Sequence, residues 1–164
     1  LYQMLLVTGA RLSELVPSSR SLHTPLLKSD IDLGARTVRI RTAKRRKGAE
    51  PKIRVIKVPE SIIEPLKERL KNLKDDDFVF EPLPNSPRDF DLILAKAKIP
   101  KVDATGAKVT SHSFRHTYAT FMSEALGGNA FLLKEVLGHS QISTTERYTH
   151  PTAPQLQLEL PEIF

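Results

Sequence analysis

What most constrains this chain is a pair of short β-type segments around a cationic tip. Thr37–Arg41 reads as a strand and Ile53–Val58 as the strand returning from it, both rich in β-branched residues. Between them runs Thr42–Lys52 (TAKRRKGAEPK), where Lys44, Arg45, Arg46, Lys47 and Lys52 face a single glutamate. An isolated hairpin is at best marginal in water, so this one must lie against other structure.

That other structure is helical. Leu1–Val7 reads as a buried helix broken at Thr8-Gly9, with a second short helix from about Ala10 to Val16. Pro59–Leu73 carries Ile62, Ile63, Leu66 and Leu70 on one face, and Pro59 sits near a first turn. Pro87–Ala97, Ser111–Leu126 and Asn129–Leu137 are further helices. Thr110 or Ser111 caps the second of these and Gly127-Gly128 ends it, while Gly138 stops the third. Asp30–Gly34 reads as a turn into the first strand, Pro17–Pro25 as a loop, and Thr152–Phe164 as a weak helix. The expected fold is α+β and mostly α: a small antiparallel β-sheet packed beside a helical core.

At 164 residues the chain fits one domain with a real core. A net charge of +6 favours a polyanionic partner. With no cysteine there is no disulfide framework, thiolate metal site or cysteine nucleophile. No apolar run reaches 18 residues and no signal-peptide pattern opens the chain, so a membrane role is not expected. The chain starts on Leu1, inside an apolar helical stretch, which reads as a fragment whose upstream part is missing.

The chemistry-bearing residues are two arginines, two histidines and a tyrosine. Arg11 follows the break in Thr8-Gly9-Ala10-Arg11-Leu12-Ser13-Glu14-Leu15 and opens a helix, with Glu14 expected to pair with a base or a backbone group. His112 and Arg115 are three apart in His112-Ser113-Phe114-Arg115, so they share a face in the first turn of their helix. The N–H groups and dipole of that end favour an anion. His139 follows the helix stop in Leu137-Gly138-His139, and Tyr148 lies nine residues on in a polar segment, where a mobile, solvent-facing ring is expected. Breaking a phosphodiester without a metal takes a nucleophile, charge neutralisation, a base and a proton for the leaving oxygen. Arginine suits neutralisation, because its fork donates bidentate bonds and stays charged. His116 stands four residues after His112, a metal-ligand spacing, but no glutamate lies between them and no acidic third ligand follows. No metal site is expected.

In their order, these positions resemble the catalytic domain of the tyrosine recombinases, the phage-integrase family, over nearly the whole chain. The resemblance implies an integrase-type catalytic domain over residues 1–164, lacking the upstream domain that would complete a clamp around DNA. It implies a site-specific recombinase that cleaves and rejoins double-stranded DNA through a 3′-phosphotyrosine intermediate, with no cofactor. Tyr148 would attack, Arg11 and Arg115 would stabilise the transition state, His112 would take or assist the tyrosine proton, and His139 would hydrogen-bond a non-bridging oxygen. Lys44 falls where the family carries its leaving-group acid. Lys47 competes for that role because the hairpin is longer than usual, and Arg45, Arg46, Lys47 and Lys52 read as phosphate contacts. Self-assembly on DNA, as a tetrameric synapse of the full-length protein, and a cytoplasmic location at the nucleoid are also implied. Val16–Lys28 looks like an insertion relative to the family. Two other readings share these residues: a type IB topoisomerase-like nicking-closing enzyme, and a DNA-binding module that has lost catalysis.

Overall fold

A computed structural model of the chain describes residues 1–18, 24–42, 52–83, 85–138, 143–146 and 148. Helix α1 (Tyr2–Thr8) ends where expected, at Gly9, whose φ of 58° is left-handed. Thr8, fully buried, closes this end: its Oγ1 donates to the Met4 carbonyl and accepts from the Ala10 N–H. The chain then turns directly into α2 (Leu12–Leu15), a single helical turn with Arg11 as its N-cap.

Strands β1 (Ile31–Asp32), β2 (Thr37–Arg41) and β3 (Ile53–Lys57) form an antiparallel sheet in that order. The two expected strands are present, with Val38 opposite Ile56 and Ile40 opposite Arg54. The sequence reading took Ile31 and Asp32 as part of a turn, and the structure corrects this: they pair with Val38 and Thr37 as an edge strand. The turn itself is Leu33–Arg36, tightened by the Asp32 carboxylate accepting from the Ala35 N–H. A two-residue strand carries too little pattern to be told from a turn.

Helix α3 (Ile63–Leu70) follows a 3₁₀ turn at Glu60–Ile62 and buries Ile62, Ile63, Leu66 and Leu70, the face read from the spacing. With Leu5, Leu15, Leu26, Val38, Ile40 and Val79 these residues make the core. Beside them, α4 (Ser86–Lys96) contributes Phe90, whose ring lies 5.6 Å from that of Tyr2 and 5.9 Å from that of Phe114. Pairs at such separations favour tilted and edge-on arrangements of the rings.

Helix α5 (Ser111–Ala125) starts on a reciprocal cap: Thr110 Oγ1 accepts from the His112 N–H, and Ser113 Oγ accepts from the Thr110 N–H. The chain divides into two compact units at Tyr118/Ala119, within this helix. In the second unit, Asn129 caps α6 (Ala130–Leu137) by accepting from the N–H groups of Phe131 and Leu132, and Gly138 ends it at a φ of 66°. A last turn, α7 (Ser143–Glu146), packs with α6 and buries Thr145 fully. No described helix is long and apolar enough to cross a membrane. The cationic hairpin tip, residues 19–23 of the Val16–Lys28 stretch and the Thr152–Phe164 tail lie outside the described residues.

Gly9 is a glycine that the fold cannot replace cheaply. A Cβ built there would lie 2.2 Å from Cδ1 of Tyr118, on top of the left-handed φ. Gly9→Ala therefore combines backbone strain with an overpacked contact, and is expected to cost about 3 kcal/mol. In urea unfolding the midpoint should fall with the slope unchanged.

Candidate active site

The site is assembled around the turn between α1 and α2. Arg11 has an extended backbone (φ −76°, ψ 149°), and its N–H points back into α2, where Glu14 Oε2 accepts it at 3.0 Å. Arg11 has no side-chain acceptor, so only this half of a capping box forms. The Arg11 side chain folds over the same carboxylate, with Nη1 at 2.9 Å from Glu14 Oε1, and remains 22% exposed.

Glu14 has no exposed side-chain surface. Its third donor comes from the sheet: Arg54 Nη2 lies 2.6 Å from Oε2. Burial by itself pushes the carboxyl pKa up, but the charge and hydrogen bond of Arg54, then the N–H and charge of Arg11, outweigh it and lower the pKa from 4.5 to about 2. The partners anticipated for Glu14, a base and a backbone group, are thus both present.

Arg115 and His112 share the first turns of α5 but differ in environment. Arg115 is 2% exposed, and its Nη1 donates to the Gly9 carbonyl, two residues before Arg11. His112 is exposed, and its ring stands 4.9 Å from that of His116, edge to face. His112 and Arg11 line one cleft of about 360 Å³ together with Ser13, Ser86 and Ser111. Three expected site residues are therefore brought together by the structure: Arg11 and His112 on the cleft, and Arg115 fastened to the backbone that leads into Arg11. Arg11 and His112 so placed can hold a tetrahedral oxyanion by charge and N–H donation.

Tyr148 belongs to the second unit. The sequence reading expected a solvent-facing ring; as a residue Tyr148 has intermediate exposure. Its N–H donates to the Thr145 carbonyl at 2.9 Å, and its carbonyl accepts from Ser123 Oγ at 2.6 Å. The buried Thr145 anchors a segment whose polar composition suggested none. Of the other expected residues, Lys52 is described and exposed, whereas Lys44, Arg45, Arg46, Lys47 and His139 lie outside the described residues.

Arg54 is the residue that sequence reasoning missed. In Ile53-Arg54-Val55-Ile56 the apolar pattern suggests that Ile53 and Val55 turn inward, yet they are 50% and 62% exposed while Arg54 and Ile56 are buried. The register against Val38 and Ile40 decides the face, because a one-residue slip would invert it. The signal available in the sequence was β2, whose alternation is unambiguous.

Glu14 makes a testable contribution to stability. Its folded pKa lies below the unfolded value, so the stabilisation is complete above about pH 4.5 and is lost as pH falls from there towards about 2. Glu14→Gln should flatten that part of the stability profile. At pH 7 it should cost about 3 kcal/mol, because the buried Arg54 charge loses its counterion. Urea titrations of both proteins at pH 7 and pH 3 measure the two effects.

Comparison with known proteins places the chain in a family. The family model for the phage integrase family matches residues 1–154. Tyrosine recombinase XerA of Thermococcus onnurineus is 32% identical over 96% of this chain and 52% of its own length. Among solved structures, the Tn1549 transposon integrase in complex with a circular intermediate DNA superposes with a TM-score of 0.67 at 26% identity, covering 94% of this chain and 55% of that one. A crystal structure of XerA recombinase gives 0.63 at 28%, covering 94% and 53%. The chain spans about half the length of these proteins. By sequence and by fold, it belongs to the phage integrase family.

Proposed function

We propose that this chain is the catalytic domain of a site-specific DNA recombinase, cutting and rejoining strands through a 3′-phosphotyrosine intermediate. The observation that carries the reading is the joint placement of Arg11 and His112 on one cleft, with Arg115 bound to the Gly9 carbonyl of the turn that leads into Arg11. The complex of the related Tn1549 integrase with DNA supports a DNA partner.

In this reading Tyr148 attacks the scissile phosphorus and releases a 5′ hydroxyl. Arg11 and Arg115 stabilise the phosphorane-like transition state with two positive charges, which removes the need for a metal ion. His112 accepts or relays the tyrosine proton, and His139 hydrogen-bonds a non-bridging oxygen. Lys44, with Lys47 as its competitor, protonates the leaving oxygen, and Arg45, Arg46 and Lys52 hold flanking phosphates. The bond energy stays in the phosphotyrosine, so rejoining needs no nucleotide. The protein acts on DNA in the cytoplasm, assembled as a tetrameric synapse.

The other two tyrosines are poor candidates for the attack. Tyr118 packs on Gly9 and burial raises the pKa of its hydroxyl, although Arg54 and Arg115 oppose this. Tyr2 lies among Phe90 and Phe114, and its hydroxyl is likewise raised by burial and by Asp89.

Nicked duplexes from a randomised library, on which the cut strand cannot be resealed, test the reading. The unmutated protein should form a covalent adduct through the 3′ phosphate, and the adduct should persist in EDTA. Tyr148→Phe should abolish the adduct and leave DNA affinity within about threefold. An adduct surviving in Tyr148→Phe would move the nucleophile elsewhere. Affinity should also fall steeply with salt, with log K linear in log salt concentration, as counterion release requires.

A further inference from the structure

We propose that Arg54 is the positioning residue for Arg11, acting through the buried Glu14 carboxylate, and that it links the Arg11 guanidinium to the base of the cationic hairpin. The proposal rests on the reading of Arg11 as a phosphate-gripping residue.

Arg54 is an unlikely residue to find in the interior on stability grounds. Its side chain is 6% exposed, and Nη2 is engaged by Glu14. Nε and Nη1 are buried and have no acceptor among the described residues. A buried guanidinium with idle donors stabilises a fold less than an apolar side chain of similar volume. What the charge does is visible at Glu14. Oε2 receives the Arg54 Nη2 and the Arg11 N–H, and Oε1 receives the Arg11 Nη1. The carboxylate thereby fixes both ends of Arg11, its backbone and its fork.

Charge counting gives the second part. Arg11 and Glu14 alone would form a neutral pair, and a phosphate would meet little net field. With Arg54 included, two guanidiniums face one carboxylate and the cluster keeps one positive charge. Arg115 adds another on the α5 side, close enough for both it and Arg54 to act on the Tyr118 hydroxyl. Arg11 is therefore held by Glu14 without being neutralised by it.

The position of Arg54 in the chain adds the coupling. It pairs with Ile40 on the strand pair whose tip carries Lys44 and Lys47, and the last described rung towards that tip is the Thr42 N–H to the Lys52 carbonyl, at 2.9 Å. Arg54 thus spans from the hairpin base to the Glu14 carboxylate.

The test uses Arg54→Met, Arg54→Lys and Arg11→Ala in the full chain, with two independent readouts. The first is the ionisation of Glu14, followed by its side-chain carboxyl carbon in NMR. In the unmutated protein it should stay ionised down to about pH 4. In Arg54→Met its midpoint should rise by about two pH units or more, and Arg54→Lys should restore most of the difference. Arg54→Gln, which keeps a donor but not the charge, carries the same measurement if the Met variant does not fold. The second readout is adduct formation on the nicked duplexes. Arg54→Met should slow it about tenfold or more with DNA affinity within about threefold, and Arg54→Lys should recover it. Combining Arg54→Met with Arg11→Ala should be no slower than Arg11→Ala alone. An unmoved Glu14 midpoint in a folded Arg54→Met or Arg54→Gln protein would overturn the proposal, as would additive losses in the double variant. If the unmutated chain forms no adduct, the recombinase reading fails, and the Glu14 titration still decides whether Arg54 controls that carboxylate.

Discussion

Much of the candidate site depends on one buried negative charge. Glu14 sits at the start of a helix only one turn long, which has no strength of its own and takes its place from what its carboxylate binds. That carboxylate gathers a backbone N–H and two guanidiniums from parts of the chain more than forty residues apart in the case of Arg11 and Arg54. Charged groups are expensive to bury singly and tolerable when each has a counterion and its hydrogen bonds. The cluster meets those terms for Glu14 more fully than for Arg54, whose Nε and Nη1 have no acceptor among the described residues.

The sheet repeats the device on its other strand. Asp30, also without exposed side-chain surface, accepts from the Leu27 N–H and from both terminal nitrogens of Arg41 on β2, with Arg39 nearby at 3.4 Å. Each long strand of the hairpin is therefore pinned by an arginine to a buried carboxylate, Arg41 to Asp30 and Arg54 to Glu14. The pins lie at the base of a tip rich in like charges, where repulsion would otherwise splay the strands. A basic hairpin can be aimed at a polyanion only if its root does not yield.

What the sequence disclosed follows from where its signals are local. The break at Gly9, the strand Thr37–Arg41, the buried face of α3 and the caps of α5 and α6 each depend on residues within one or two turns of one another, so pattern alone finds them. Arg11, His112 and Arg115 were legible as a set because their motifs keep fixed spacing within short segments. Their environments were not. His112 and Arg115 sit on one helix at sharing distance, yet one is exposed and the other buried, because Gly9 offers Arg115 an acceptor from 106 residues away. Arg54 was hidden for the same reason: its direction is set by pairing with β2, and its partner by tertiary contact. The anchoring of the Tyr148 backbone by the Ser123 hydroxyl and the Thr145 carbonyl is set by tertiary contact and local turn geometry, which residue type does not reveal.

The two arginines that flank the turn are held in different ways, and this bears on how such a site can change over generations. Arg115 meets a main-chain carbonyl, an acceptor that every amino acid possesses, so no substitution at position 9 can delete it. Only a shift of the backbone can, and the closeness of the Tyr118 ring restricts which residues allow the backbone to stay. Arg11 depends instead on a side chain that a single codon can alter. One guanidinium is thus insured by the peptide chain itself, and the other is open to adjustment. Drift in catalytic strength among related sequences should accordingly collect around Glu14 and the strand that supports it, while the Gly9 corner stays fixed.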